Sequence, residues 1–244
     1  MQAAAVQQCD LVDPAFARLS ALARPHDSRL SPLESGLARP QRIAARAELF
    51  SEGDPIPQPI LLLSGWAARV RRLADGRRQI LGLLLPGDLI GIARRHDPVA
   101  ISNIVALTDL TICPAPCQDD LDDIGLSKAY DRSRSLEEHY LLAQIMRLGR
   151  LSAYERIADL LLELWERLKL AGLATTSHFP VPLTQDLLAD TLGLTNVHVN
   201  RTLQALRREG VLTLEAGMAT LHDTAALADQ VHHRAPPLKS ARAD

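Results

Sequence analysis

Residues 184–212 read TQDLLADTLGLTNVHVNRTLQALRREGVL, and their spacing predicts two short helices on a tight turn, followed by a strand. Two helices that cross closely need a small residue at the crossing, a turn residue tolerant of positive φ, and a branched apolar anchor on the second helix. Ala189, Gly193 and Val199 supply these in order. Thr184 and Thr195 stand where N-caps belong, each ahead of a helical run. Val199, Leu203 and Leu206 recur at +4 and +3 and give the second helix one apolar stripe. Asn196, His198, Asn200 and Arg201 fall off that stripe near the N-terminal end, the end a recognition helix inserts into a major groove. A plain helical hairpin with a solvated polar face fits the same pattern. The sequel separates the two: Val211–Leu214, a Glu215-Ala216-Gly217 turn and Met218–Leu221 read as a β-hairpin, and a hairpin after a recognition helix makes a winged helix.

Composition bounds the rest. The chain has 244 residues, 47% hydrophobic and 23% charged, which is globular composition with room for one large or two ordinary domains. Aromatic residues make up only 3%, so stacking platforms for single-stranded nucleic acid are not expected. No apolar run reaches the length of about 18 residues that a membrane span needs, and Met1–Ala5 lacks the basic start and apolar core of a signal peptide. A cytoplasmic protein is expected. Cys9, Cys113 and Cys117 form no even disulfide framework. Cys113-Pro-Ala-Pro-Cys117 offers half of a tetrahedral metal set, or simply buried structural thiols; a four-cysteine iron–sulfur site within one chain is excluded. The formal net charge is −2, which argues against indiscriminate nucleic-acid binding. Within 184–223, Arg201, Arg207 and Arg208 face Asp186, Asp190, Glu209, Glu215 and Asp223. Affinity for DNA leans on phosphate contacts, so one copy binds modestly and needs a partner.

Along the chain, residues 1–41 mix helix (Pro14 to Leu22) with loop. From 42 to 117 short apolar runs alternate with Gly, Pro and Asp: Ile60–Leu63, Ala67–Leu73, Gln79–Leu85, Ile101–Leu107 and Leu110–Cys113, with Asp75-Gly76 as a hairpin turn. Gly53, Gly65, Gly76 and Gly87 punctuate this stretch in the rhythm of an all-β roll. Residues 118–153 carry a long helix over 136–151, with Leu141, Ile145, Leu148 and Leu151 along one side. That stripe suits pairing with a second copy or packing on the β-roll. Residues 154–234 hold an amphipathic helix, Tyr154 to Leu170, then a linker from Leu173 to Pro182 and the winged helix; 235–244 read as a frayed tail.

A β-roll, a long helix and a winged helix in this order resemble the Crp/Fnr family of bacterial transcription regulators. Glu52-Gly53-Asp54, Leu63-Ser64-Gly65, Asp75-Gly76-Arg77, Pro86-Gly87-Asp88, Glu155–Ala158 and the 184–212 block carry the resemblance over residues 42–222. It implies an α+β chain: an N-terminal antiparallel β-roll of the cyclic-nucleotide-binding jelly-roll type, a dimerisation helix and a C-terminal winged helix-turn-helix. It further implies a homodimer on a palindromic operator in double-stranded DNA, a β-roll that senses a signal, and RNA polymerase as a further partner. Carried over by position, Thr184 and Gln185 meet phosphates, and Thr195, the N-cap of the reading helix, is counted with the DNA-binding residues. Asn196, Val197, Asn200 and Arg201 take base-reading positions, Arg201 by a bidentate pair to guanine. His198 either joins them or stays solvated. The family places an acidic residue where Val197 stands, and valine cannot accept from cytosine N4.

The sensor departs further from the pattern. Cyclic-nucleotide binders carry Gly-Glu after the Pro-Gly-Asp turn and Arg-Ser later, whereas here Gly91 precedes Ile92 and the Arg-Ser slot holds Ala100-Ile101. A buried phosphate without a charge partner is costly, so cyclic AMP is not an expected ligand, and no cofactor is predicted. Arg94 and Arg95 read as a solvated loop. His96 with Cys113 as haem ligands is the weaker reading beside an exposed loop histidine. An enzyme built on a cupin-like barrel would need two or three histidines and a carboxylate inside the β-domain, and His96 is the only histidine in 42–117. A regulatory module that uses its winged helix for protein contact is the remaining alternative.

Overall fold

The computed structural model describes residues 14–23, 33, 39–92, 98–118, 121 and 123–237. Helix α1 (14–22) leads into eight short strands: β1 (Gln41–Ile43), β2 (Glu48–Phe50), β3 (Ile60–Ser64), β4 (Ala67–Arg72), β5 (Arg78–Leu84), β6 (Leu89–Ile90), β7 (Asn103–Ala106) and β8 (Leu110–Pro114). They form two four-stranded antiparallel sheets, ordered β1-β8-β3-β6 and β2-β7-β4-β5. Leu62, Ala67, Leu84, Ile90, Ile104 and Ile112 come from both sheets and fill the space between them. Gly65, at φ 83°, makes the β3–β4 turn possible: a Cβ there would lie 2.1 Å from the Asp109 carbonyl oxygen. The predicted Asp75-Gly76 turn joins β4 to β5.

Period-two alternation sends the neighbours of these residues the other way. Ala68, Val70, Ile80, Leu83 and Leu85 pack in one cluster with Ile157, Leu160, Leu161 and Leu164 of α3 (Ala153–Leu170) and with Leu188, Val199 and Leu203 beyond it. The roll and the C-terminal half therefore share a continuous core. The outer side of the other sheet is covered by α1 and the start of α2 (Ile124–Arg150): Ala15, Leu19 and Leu22 meet Leu61, Leu63, Leu126 and Tyr130. Helix α2 begins twelve residues before the predicted Leu136, capped by Asp123, whose side chain accepts from the Leu126 amide at 2.7 Å. Its first half is buried against the roll, which a sequence as polar as Lys128–Ser135 does not advertise.

A second departure lies in the predicted linker. Residues His178–Pro180 form β9, the third strand of the wing sheet, ordered β10-β11-β9 with β10 (Leu212–Glu215) and β11 (Met218–Leu221). Phe179 pairs with Ala219 and is fully buried. A three-residue strand that ends on a proline, with a single buried side chain, gives no periodic signal, so the strand exists only through its distant partner. Helices α4 (Gln185–Leu192), α5 (Asn196–Arg208) and α6 (Thr224–Gln230) complete the described chain. Among the described residues no helix is long and apolar enough to cross a membrane.

Candidate nucleic-acid interface

The caps and turn are built as the sequence predicts. The Thr184 hydroxyl accepts from the Leu187 amide at 3.2 Å and the Thr195 hydroxyl from the His198 amide at 3.3 Å. Gly193 ends α4 in the left-handed region at φ 61°, where a side chain strains the backbone. Val199, Leu203 and Leu206 are buried beneath α5, leaving Asn196, Val197, His198, Asn200 and Arg201 exposed on one side. Val197 is 76% exposed, a large apolar side chain held in water at the N-terminal end of the helix. Two cross-links fix the helix pair: Asn200 donates to the Gln185 side-chain oxygen at 3.3 Å, and the Asn196 amide donates to the Asp186 carboxylate. Thr184 and Gln185 are exposed at the start of α4, where unpaired helix N–H groups favour an anion such as phosphate.

On α2, Leu141, Leu142, Ile145 and Met146 are 40%, 60%, 68% and 58% exposed, an apolar strip along the outer side of its C-terminal half. Leu148 and Leu151, the other two residues expected in the seam, are less exposed. Both are half-buried, and a Cβ on Gly193 would sit 3.4 Å from the Leu148 side chain, so Leu148 faces the turn of its own helix-turn-helix.

That turn is also held by residues which sequence reasoning missed. The last carbonyls of a helix lack intrahelical donors, and side chains from other elements supply them at α4. Gln79 of β5 donates to Asp190 O at 2.7 Å and Thr191 O at 3.0 Å, Gln144 of α2 to Thr191 O at 2.6 Å, and Arg156 of α3 to Leu192 O at 2.9 Å. Arg78 adds an ion pair with Asp190 at 2.6 Å. No local motif announces such partners; only the fold brings β5 to residues more than a hundred positions on.

Beneath the turn runs a buried chain of charges. Arg147, 2% exposed, binds Asp159 at 2.7 Å and Glu163 at 2.8 Å. Arg167 binds Glu163 at 3.1 Å and Asp88 at 2.7 Å, and Arg18 binds Asp88 at 2.8 Å. Burial alone would raise the Asp88 carboxyl, but Arg18 and Arg167 outweigh it and hold it below the usual carboxylate range. Burial disfavours charge on His233 as well, yet hydrogen bonds to Asp159 at 2.7 Å and Glu166 at 3.3 Å push it up to about 9. Asp88 belongs to the Pro-Gly-Asp turn, so this chain links the roll to α2 and α3.

Among the described residues no group of three or more His, Cys, Asp or Glu is arranged to hold a metal. Cys113 is buried, and burial pushes its thiol up to about 11, away from the thiolate a metal would need. His96, Arg94, Arg95 and Cys9 lie outside the described residues. Of the departures from cyclic-nucleotide binders, Ala100 is buried, Ile101 is 66% exposed, and Ile92 is a buried apolar residue.

Comparison with known proteins agrees with this geometry. Residues 40–120 match the cyclic nucleotide-binding domain and residues 155–230 the Crp-like helix-turn-helix domain. The chain is 35% identical to the transcriptional activator protein FnrL of Cereibacter sphaeroides over 175 residues, 67% of this chain and 68% of that one. It is 32% identical to the nitrogen fixation regulation protein FixK of Bradyrhizobium diazoefficiens over 192 residues, 78% of this chain and 80% of that one. The solved structure of FixK2 from Bradyrhizobium japonicum superposes with a TM-score of 0.69 at 25% identity, covering 81% of this chain and 98% of that one. A Crp-family transcriptional regulator from Thermus thermophilus shares the fold, with a TM-score of 0.61 at 23% identity over 79% of this chain and 96% of that one.

Proposed function

This chain belongs to the Crp/Fnr family and is a DNA-binding transcription regulator, and from that premise we propose that it acts as a homodimer on a palindromic operator in double-stranded DNA. The observation that carries the proposal is the pairing of an exposed polar reading edge, Asn196 to Arg201, with an exposed apolar strip, Leu141 to Met146, on one chain. The strip explains how a slightly acidic reading domain gathers enough phosphate contacts: two copies double them. Thr184 and Gln185 position the helix on the backbone, Thr195 caps it, and Asn196, Val197, Asn200 and Arg201 read bases, with His198 beside them. Half-sites then lie one duplex turn, about 34 Å, apart.

The signal enters at the β-roll and is something other than a cyclic nucleotide, which the apolar Ile92, Ala100 and Ile101 support. The chain acts as a regulator and not as an enzyme, a reading that rests on the family to which it belongs. The protein works in the cytoplasm, where the DNA is, with RNA polymerase as the further partner. Sedimentation of wild type and Ile145→Asp tests the dimer: a charge in the strip should yield monomers that lose operator binding, and a monomeric wild type that still binds DNA contradicts it. A gel shift at two salt concentrations tests the target, because DNA binding weakens steeply with salt through counterion release and protein contact does not.

A further inference from the structure

A cleft open to solvent lies between the β-roll and the two long helices, bounded by β4, β5, the Pro-Gly-Asp turn, α2 and α3. Its walls are largely aliphatic, with Leu81, Leu83, Leu84, Leu89, Ile92 and Leu141. The ladder between β4 and β5 slips beside it: Arg69 pairs with Gly82 but Val70 with Ile80, leaving Leu81 unpaired. Such bulges re-aim side chains next to functional sites.

The charged groups on these walls differ in one respect. Arg18, Arg147 and Arg167 are each 5% exposed or less and hold more than one partner apiece. Arg69 is the exchangeable one. Its ion pair among the described residues is with Glu137 of α2 at 2.5 Å, and Glu137 is 37% exposed at the mouth. The Arg69 side chain is 13% exposed, so its guanidinium needs a carboxylate partner once Glu137 leaves, and a guanidinium pairs with any carboxylate in the same planar geometry. On the same walls, Arg167 Nε has no hydrogen-bond partner among the described residues, a buried donor that an incoming acceptor could satisfy.

We propose that this cleft takes a small monocarboxylate with an apolar body, whose carboxylate replaces Glu137 on Arg69 while its hydrocarbon covers the leucines. The proposal rests on the reading of the chain as an effector-responsive regulator. Released Glu137 turns to water, where it already partly stands. Gln144 and Thr191 also line the cleft, and their hydrogen bond holds the helix-turn-helix turn, so an occupant meets the joint that orients the reading helix.

Calorimetry on the full chain with straight-chain carboxylates from hexanoate to dodecanoate and with phenylpropanoate, each against its alcohol, tests the ligand class. At least one acid should bind, and more tightly than its alcohol. Arg69→Ala should weaken the acid roughly 10- to 100-fold without changing the alcohol. Glu137→Gln, which removes the competitor and keeps the shape, should tighten the acid. Equal affinity for acid and alcohol, an acid indifferent to Glu137→Gln, or no acid binding below about 1 mM overturns the ligand class. Operator binding by wild type, measured by fluorescence anisotropy with and without acid, keeps the two readings apart. Operator bound with no acid taken up overturns the ligand class alone, whereas acid bound with no change in operator affinity overturns the effector-responsive reading alone.

Discussion

The Gln144 side chain donates to the Thr191 carbonyl at 2.6 Å and accepts from Arg147 at 2.6 Å, so one buried amide joins the C-terminal half of α2 to the penultimate residue of α4. Gln144→Ala removes both bonds and strands a buried guanidinium N–H. A loss of about 1–2 kcal/mol is expected, read as a lower urea midpoint at unchanged slope. Amide exchange over residues 189–194 should quicken more than over β3 or β8. Uniform acceleration everywhere would show that Gln144 stabilises the whole chain without steadying the turn.

Arg147 tests the buried charge chain. Arg147→Met keeps the aliphatic stem but leaves Asp159 and Glu163 without their shared cation, which should cost about 3–5 kcal/mol. Adding Glu163→Gln should recover part of that loss, because with Arg147 gone the carboxylates Asp88, Asp159, Glu163 and Glu166 outnumber Arg18, Arg167 and His233. If the double variant is no more stable than the single in a denaturant titration, the penalty comes from packing.

His233 sets an alkaline limit. Its folded value is raised from 6.5 to about 9 by Asp159 and Glu166, so its contribution is fully present below 6.5 and is lost as pH rises through 9. Asp159 works the other way. Burial raises it, but His233 and Arg147 hold it low, so its contribution is present above 3.8 and fades as pH falls below. Thermal melting from pH 6 to 10 should show wild type losing stability across that window, and His233→Gln should flatten the slope.

Local signals made the helix-turn-helix legible: Thr184, Thr195 and Gly193 each act within four residues of themselves, and Val199, Leu203 and Leu206 declare one face. Strand β9 was not, because Phe179 is defined by Ala219, forty residues away. The same holds for the joint and the cleft. Gln79, Gln144 and Arg156 meet at α4 only after the chain has folded back on itself, and Arg69 finds Glu137 across 68 positions of sequence. Leu148 is instructive in another way. Its heptad spacing from Leu141 puts both on one side of α2, and there Leu148 also meets the turn at Gly193, a contact that spacing does not announce.

Arg201 is the sharpest test of base reading. It stands exposed one turn into α5, and its fork can pair with guanine. Arg201→Ala should cost roughly 1–3 kcal/mol per half-site and flatten preference at one base pair. Gln185→Ala should weaken all sequences about equally, as loss of a phosphate contact does. Selection from randomised duplexes with both variants decides: an unchanged sequence logo for Arg201→Ala would move the reading edge elsewhere.

The core that runs unbroken from Val70 and Leu83 through Leu161 to Leu188 and Val199 removes the customary freedom to treat such a protein as two interchangeable cassettes. Cutting at 153 would expose a sheet face on one fragment and a helix face on the other, inviting each to aggregate. A chimera that borrows a relative's reading half must import the residues on both sides of the seam. Heritable change in operator preference is then cheapest on the outer edge of α5, where Val197 and Arg201 touch nothing that the sensor needs.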